Sequence, residues 1–110
     1  MKKLHVKTKG PIGEVLRAFA RTPRTQYEIV ESVDEASEVM STDPNEAVDL
    51  LFAGKNVVLV SIGRKDTAST EALRQNEAFM GRLSIFSINF TENDSMEVGK
   101  LINHFRGETP

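Results

Sequence analysis

The sequence predicts a single small α/β domain over residues 1–110, with about four mostly parallel strands and helices packed on one or both faces. Apolar residues switch repeatedly between a period of two and a period near 3.6. Strand-like and helix-like stretches alternate, which implies parallel pairing through right-handed crossovers. The stretch NVVLVSI, residues 56–62, is apolar on both faces, as a covered interior strand must be.

The predicted order is β-α-β-α-α-β-α-β-α. LHVKT (4–8) alternates, with Leu4, Val6 and Thr8 on one side and His5 and Lys7 on the other. Gly10-Pro11 breaks it, and proline suits a first helical turn. Ile12, Val15, Leu16 and Phe19 then form a helical stripe, ended at Thr22-Pro23. TQYEIVE (25–31) reads as a second strand. Ser32 and Glu35 have capping-box spacing, which predicts a short helix through Val39-Met40. Asp43-Pro44 opens a further helix with Ala47, Val48 and Leu51 inside, and Gly54 stops it. Residues 56–62 form the third and central strand. A helix from about Ser69 to Met80 and a strand over 83–90 follow. A last helix carries Val98, Leu101, Ile102 and Phe105 inward. The first strand fits this plan poorly. Lys3, His5 and Lys7 share one of its faces, so it is expected at a sheet edge or on a partly open face, which a dimer would cover.

Composition excludes more than it selects. The chain has no cysteine, so disulfides, thiolate metal sites and cysteine nucleophiles are ruled out. No apolar run approaches the ~20 residues that span a bilayer, and MKKLHVKTKG lacks the apolar core of a secretory signal. A cytoplasmic location without membrane contact is the expectation. Net charge is −2, but residues 1–25 carry seven cations against Glu14 alone, and residues 26–54 carry eight acids and no lysine or arginine. Such a split attracts an anion to one side or pairs one half with the other.

Ligands of open parallel sheets bind outside the carboxyl ends of strands. Two glycine turns with cations stand there, Thr8-Lys9-Gly10 and Gly63-Arg64-Lys65-Asp66-Thr67. If the strands 4–8 and 56–62 are adjacent, Lys9, Gly10, Gly63, Arg64, Lys65 and Thr67 surround a small anion or nucleotide phosphate, held by backbone amides and cations. Neither turn is a Walker motif or a dinucleotide fingerprint. Ser61 lacks the glycine-x-serine-x-glycine elbow of a hydrolase. His5 and His104 have no local partner for acid–base work. Glu31, Asp34, Glu92 and Asp94 are expected as helix caps rather than magnesium ligands. No catalytic residue, metal site or cofactor is assigned. Arg17, Arg21 and Arg24 offer phosphate contacts, but no aromatic stacking platform accompanies them and the acidic segment repels a polyanion, so nucleic acid is disfavoured.

Asn76 breaks the apolar stripe of the 69–80 helix, between Leu73 and Phe79-Met80. A buried amide needs partners, and one polar residue at a helical interface fixes register. Asn76, Phe79 and Met80 are therefore the candidate interface residues. The favoured function is a non-catalytic module acting through protein contacts, as a homodimer or with another protein. The small-anion site, with or without enzymatic turnover, is the alternative.

Overall fold

The computed structural model describes residues 2–62, 68–79, 81–89 and 95–107. Five parallel strands form one sheet: β1 (Lys2–Val6), β2 (Tyr27–Ile29), β3 (Glu38–Ser41), β4 (Asn56–Ile62) and β5 (Leu83–Ile88). Four helices join or follow them: α1 (Gly10–Ala20), α2 (Pro44–Phe52), α3 (Ala68–Gln75) and α4 (Ser95–Arg106). The strand order is β2-β1-β3-β4-β5, so the fold class is the predicted one with one strand more.

The extra strand is β3, where the sequence predicts a helix. Ser32 does cap a turn, accepting the Asp34 N–H at 3.2 Å, but the turn is only the 3₁₀ segment Val33–Glu35. Ala36 then turns extended, and Glu38–Ser41 slots between β1 and β4 with all four residues buried. Four residues are too few to show period two against a helical pattern, and the Ser32 cap is satisfied by one short turn. With β3 in the middle of the sheet, β4 is interior but not central.

Alternation divides the core in two. Leu4, Val6, Met40, Val58, Val60 and Ile88 meet Leu16 and Ala20 of α1 and Leu101 and Phe105 of α4. On the other face Val39, Val57 and Leu59 meet Ala47, Leu50 and Leu51 of α2 and Leu73 of α3. The handedness rule explains the split. The chain moves outward from β1 to β2 and then in the opposite direction from β2 to β5, so right-handed crossovers must use opposite faces.

β1 is thus interior, flanked by β2 and β3, and not an edge. Its polar side is covered by the crossover 30–37 instead of a helix. His5 Nδ1 donates to the Val30 carbonyl at 3.0 Å, and Lys7 Nζ meets Glu46 at 3.2 Å. These contacts leave His5 and Lys7 half-buried and Lys3 exposed, so of the two expectations the edge position is overturned and the partly open face is found.

Candidate functional site

The chain reverses direction across the sheet between β1 and β3, and the loops after these strands meet. Thr8 Oγ1 and Thr42 Oγ1 lie 3.2 Å apart. Ser41 is fully buried; its hydroxyl donates to Glu46 Oε1 at 3.0 Å and accepts the Asp43 N–H at 3.1 Å. Glu46 turns its other oxygen to Lys7. Asp43 caps α2, accepting the Asn45 N–H at 2.9 Å. The polar groups at this junction answer one another, and the result is a clamp joining β1 to α2. Lys9 is the N-cap of α1, is exposed, and makes no side-chain capping bond.

The adjacency of the strands at 4–8 and 56–62, on which the small-anion site depends, is not found. β3 stands between β1 and β4, so the ends of these two strands are two spacings apart, roughly 9–10 Å. Lys9 and Gly10 therefore begin α1 without a loop beside them from an adjacent β4. Gly63, Arg64, Lys65 and Thr67 lie outside the described residues, as do Glu92 and Asp94.

Asn76 is corrected in a different way. It is exposed, and α3 ends before it at Gln75. Its Oδ1 accepts the Ala78 N–H at 2.9 Å and caps the 3₁₀ turn Glu77–Phe79. Asparagine competes for backbone donors, so it ends the helix instead of entering the core. Phe79 is buried, and its ring meets Phe52 edge-on at 5.7 Å. Met80 lies outside the described residues.

At the opposite, amino end of the sheet is a cluster the sequence did not reveal. Glu38 is only 9% exposed, and His104 Nε2 lies 3.2 Å from its Oε2. The same nitrogen is 3.4 Å from the Tyr27 hydroxyl, and the two rings stack at 5.9 Å. Lys2 Nζ stands 5.6 Å over the Tyr27 ring. Burial works to raise the Glu38 pKa, but hydrogen bonds from His104 and Tyr27 and the charges of His104 and Lys2 outweigh it, and the carboxyl sits below its ordinary range. Tyr27 is pushed up by burial first, then by its bond to Glu38 and the charge of that carboxylate. Reading residues 32–40 as a helix hid Glu38, so His104 had no visible partner.

Clefts open on the surface among the described residues. One of about 310 Å³ runs between α2 and α3 and is lined by Pro44, Val48, Phe52, Ala72 and Leu73. One of about 280 Å³ lies between α3 and β5, against Leu73, Leu83 and Ile85. Asn76 and Phe79 line both. A third, of about 440 Å³, lies between α1 and the end of β2. Among the described residues no three histidines or acids gather to hold a metal ion, and no helix is long and apolar enough to cross a membrane.

Fold and clefts define an all-parallel, doubly wound α/β domain. Compared with protein-family models, curated proteins and solved structures, the chain matches none.

Proposed function

We propose that this chain is a small non-catalytic binding module that works through protein contacts, its first partner being a second copy of itself joined along β5. The observation that carries the reading is the outer edge of β5. The Val57 N–H donates to the Arg82 carbonyl at 2.8 Å, which sets the alternation of the parallel ladder. Ser84 and Phe86 then face β4, and Leu83 and Ile85 send their N–H and C=O groups outward. No strand among the described residues pairs with that side.

The segment LSIFSI has no charge, proline or glycine, so the usual guards of an edge strand are missing from it. Two-fold antiparallel pairing would set Leu83 of one copy opposite Ile85 of the other, exchanging main-chain hydrogen bonds, with Ser84 at the axis. Uncharged residues would meet uncharged residues. Beside the edge lies the α3–β5 cleft, and beyond it the α2–α3 groove with Phe52, 78% exposed. Strand addition uses this combination of free main chain and side-chain pockets. Asn76 and Phe79 belong to the proposed interface as residues lining both clefts, not as helix-stripe residues. At the carboxyl ends of β1 and β3 the described hydroxyls are engaged in structural bonds, which favours binding over turnover.

Light scattering on a sizing column tests the reading. The wild-type chain at tens of micromolar is expected at twice its 12.2 kDa mass. Ser84→Lys sets two cations face to face at the axis, and Ile85→Pro removes an outward N–H without touching the ladder to β4. Both variants are expected as folded monomers by circular dichroism. A monomeric wild type, or variants that still dimerise, would sink the proposal.

A further inference from the structure

The β1–β2 ladder stops early, and what it leaves open faces the 440 Å³ cleft. Pairing runs from Lys2↔Tyr27 to Leu4↔Ile29, and the Val30 N–H still reaches the Leu4 carbonyl at 2.8 Å. The next bond of a regular parallel ladder would run from the Val6 N–H to the Val30 carbonyl. That carbonyl instead accepts from His5 Nδ1 at 3.0 Å. The Val6 N–H is left pointing past the end of β2, with no acceptor among the described residues. Val6 is 2% exposed, and a buried amide without an acceptor is rare in a folded protein.

α1 overhangs this notch. Arg17 is fixed there, donating from one nitrogen to Glu14 at 3.0 Å and from the other to the carbonyls of Val6 and Thr8 at 3.3 and 3.4 Å. It seals the acceptors of the β1 edge but not the Val6 donor. Arg21 lines the same cleft one turn later, and its guanidinium has no partner among the described residues. Ile29 and Val30 add apolar lining, and Glu31 contributes a carboxylate. Glu14 and Arg17 neutralise each other and His5 Nδ1 is committed to the Val30 carbonyl, so the cleft offers one available cation, one available anion, one backbone donor, the outer edge of the His5 ring and an apolar wall. A polyanion gains little from a site so balanced. A molecule with one carboxylate and one ammonium pairs both charges and the backbone donor. The volume falls within the about 300–1,000 Å³ of small-molecule pockets.

We propose that this cleft binds a small zwitterion of the α-amino-acid type. Its carboxylate sits on Arg21 and the Val6 N–H, its ammonium faces Glu31, and its side chain lies on Ile29 and Val30. The arginine fork suits a carboxylate, and a charge-assisted bond to a buried amide is among the stronger hydrogen bonds. The site lies at the end of the sheet opposite its β5 edge, so it stands or falls independently of self-association.

The test is an amide NMR titration of the full chain with the common free amino acids at millimolar concentration, beside acetate, ethylamine and inorganic phosphate. At least one amino acid is expected to move the Val6 amide saturably, and to bind more tightly than acetate, ethylamine or phosphate. Arg21→Ala should weaken that binding about tenfold with an unchanged melting temperature, because the side chain makes no bond in the fold. Glu31→Gln should weaken the amino acid and leave acetate unaffected. Three results would overturn the proposal: no saturable shift at Val6, acetate or phosphate binding as tightly as any amino acid, or Arg21→Ala binding like the wild type.

Discussion

At the scale of single residues, Glu38 shows how a polar group enters a core. It opens the fully buried strand Glu38–Ser41, at a position where Leu4 and Asn56 flank it on β1 and β4. Alone it would be costly, since an uncompensated buried carboxylate loses its hydration. His104, Tyr27 and Lys2 face it from α4, β2 and β1, and together they hold it ionised. The sign of the pH effect follows. A carboxyl whose folded pKa lies below its unfolded value contributes stability above the unfolded value, and that contribution is lost as pH falls through the folded one. Glu38→Gln is therefore expected to cost about 1–3 kcal/mol near neutral pH. In urea titrations the gap between wild type and variant should shrink as pH drops below about 4. A gap that stays constant down to acid pH would show that the charge is not what stabilises the fold.

Among the elements, helices α1 and α4 each carry an interior glycine, Gly13 and Gly99, and the two predict opposite responses. A Cβ built on Gly13 would collide with the Thr8 carbonyl oxygen, so α1 can pack against the end of β1 only because that position has no side chain. A Cβ on Gly99 meets nothing within 4 Å. Gly99→Ala should stabilise the domain by about 0.5–1 kcal/mol through helix propensity. Gly13→Ala should destabilise it by about 1–3 kcal/mol despite the same propensity gain, because the clash is with backbone. Chemical denaturation of the two variants measures both signs. The sequence carried the helices well, because the stripes Ile12–Leu16–Phe19 and Val98–Leu101–Phe105 repeat over several turns. It also carried β4, whose apolar run is longer than a turn or a cap can imitate. β3 was illegible because four residues give too few repeats and a real serine cap stood just before them. Asn76 was misplaced for a related reason: a stripe projected past the end of a helix puts later residues on a face that no longer exists. The site suffered most. The switch point depends on which strands are neighbours, and the Val6 donor depends on where β2 stops pairing. Neither property belongs to any local stretch of sequence.

Over the whole molecule, the charge split between the first quarter and the next is partly resolved within the chain. Lys7 meets Glu46 at 3.2 Å, Lys2 faces Glu38, and the acidic segment folds around β1 from both sides. A half-exposed pair such as Lys7–Glu46 contributes little, about 0–1 kcal/mol, so surface charge alone does not hold the domain or a dimer together. Other cations stabilise by capping carbonyls: Arg82 donates to the Leu51 and Lys55 carbonyls at 2.6 and 3.0 Å, and Lys55 to that of Ala36 at 2.7 Å. These bonds fix the start of β5 to the end of α2 and so hold the edge strand in place before any partner arrives. A preformed edge lowers the ordering cost of association. Mass action then makes the melting temperature of a self-associating chain depend on its concentration. For the wild type it is expected to fall by roughly a few degrees with each tenfold dilution across the dissociation constant. For Ser84→Lys it should be flat over the same range and meet the wild-type value at high dilution, since the substitution leaves the monomer's core intact. Scanning calorimetry over a dilution series measures both lines. A wild-type line as flat as the variant's would leave β5 an unpartnered edge, and self-association would then need another surface.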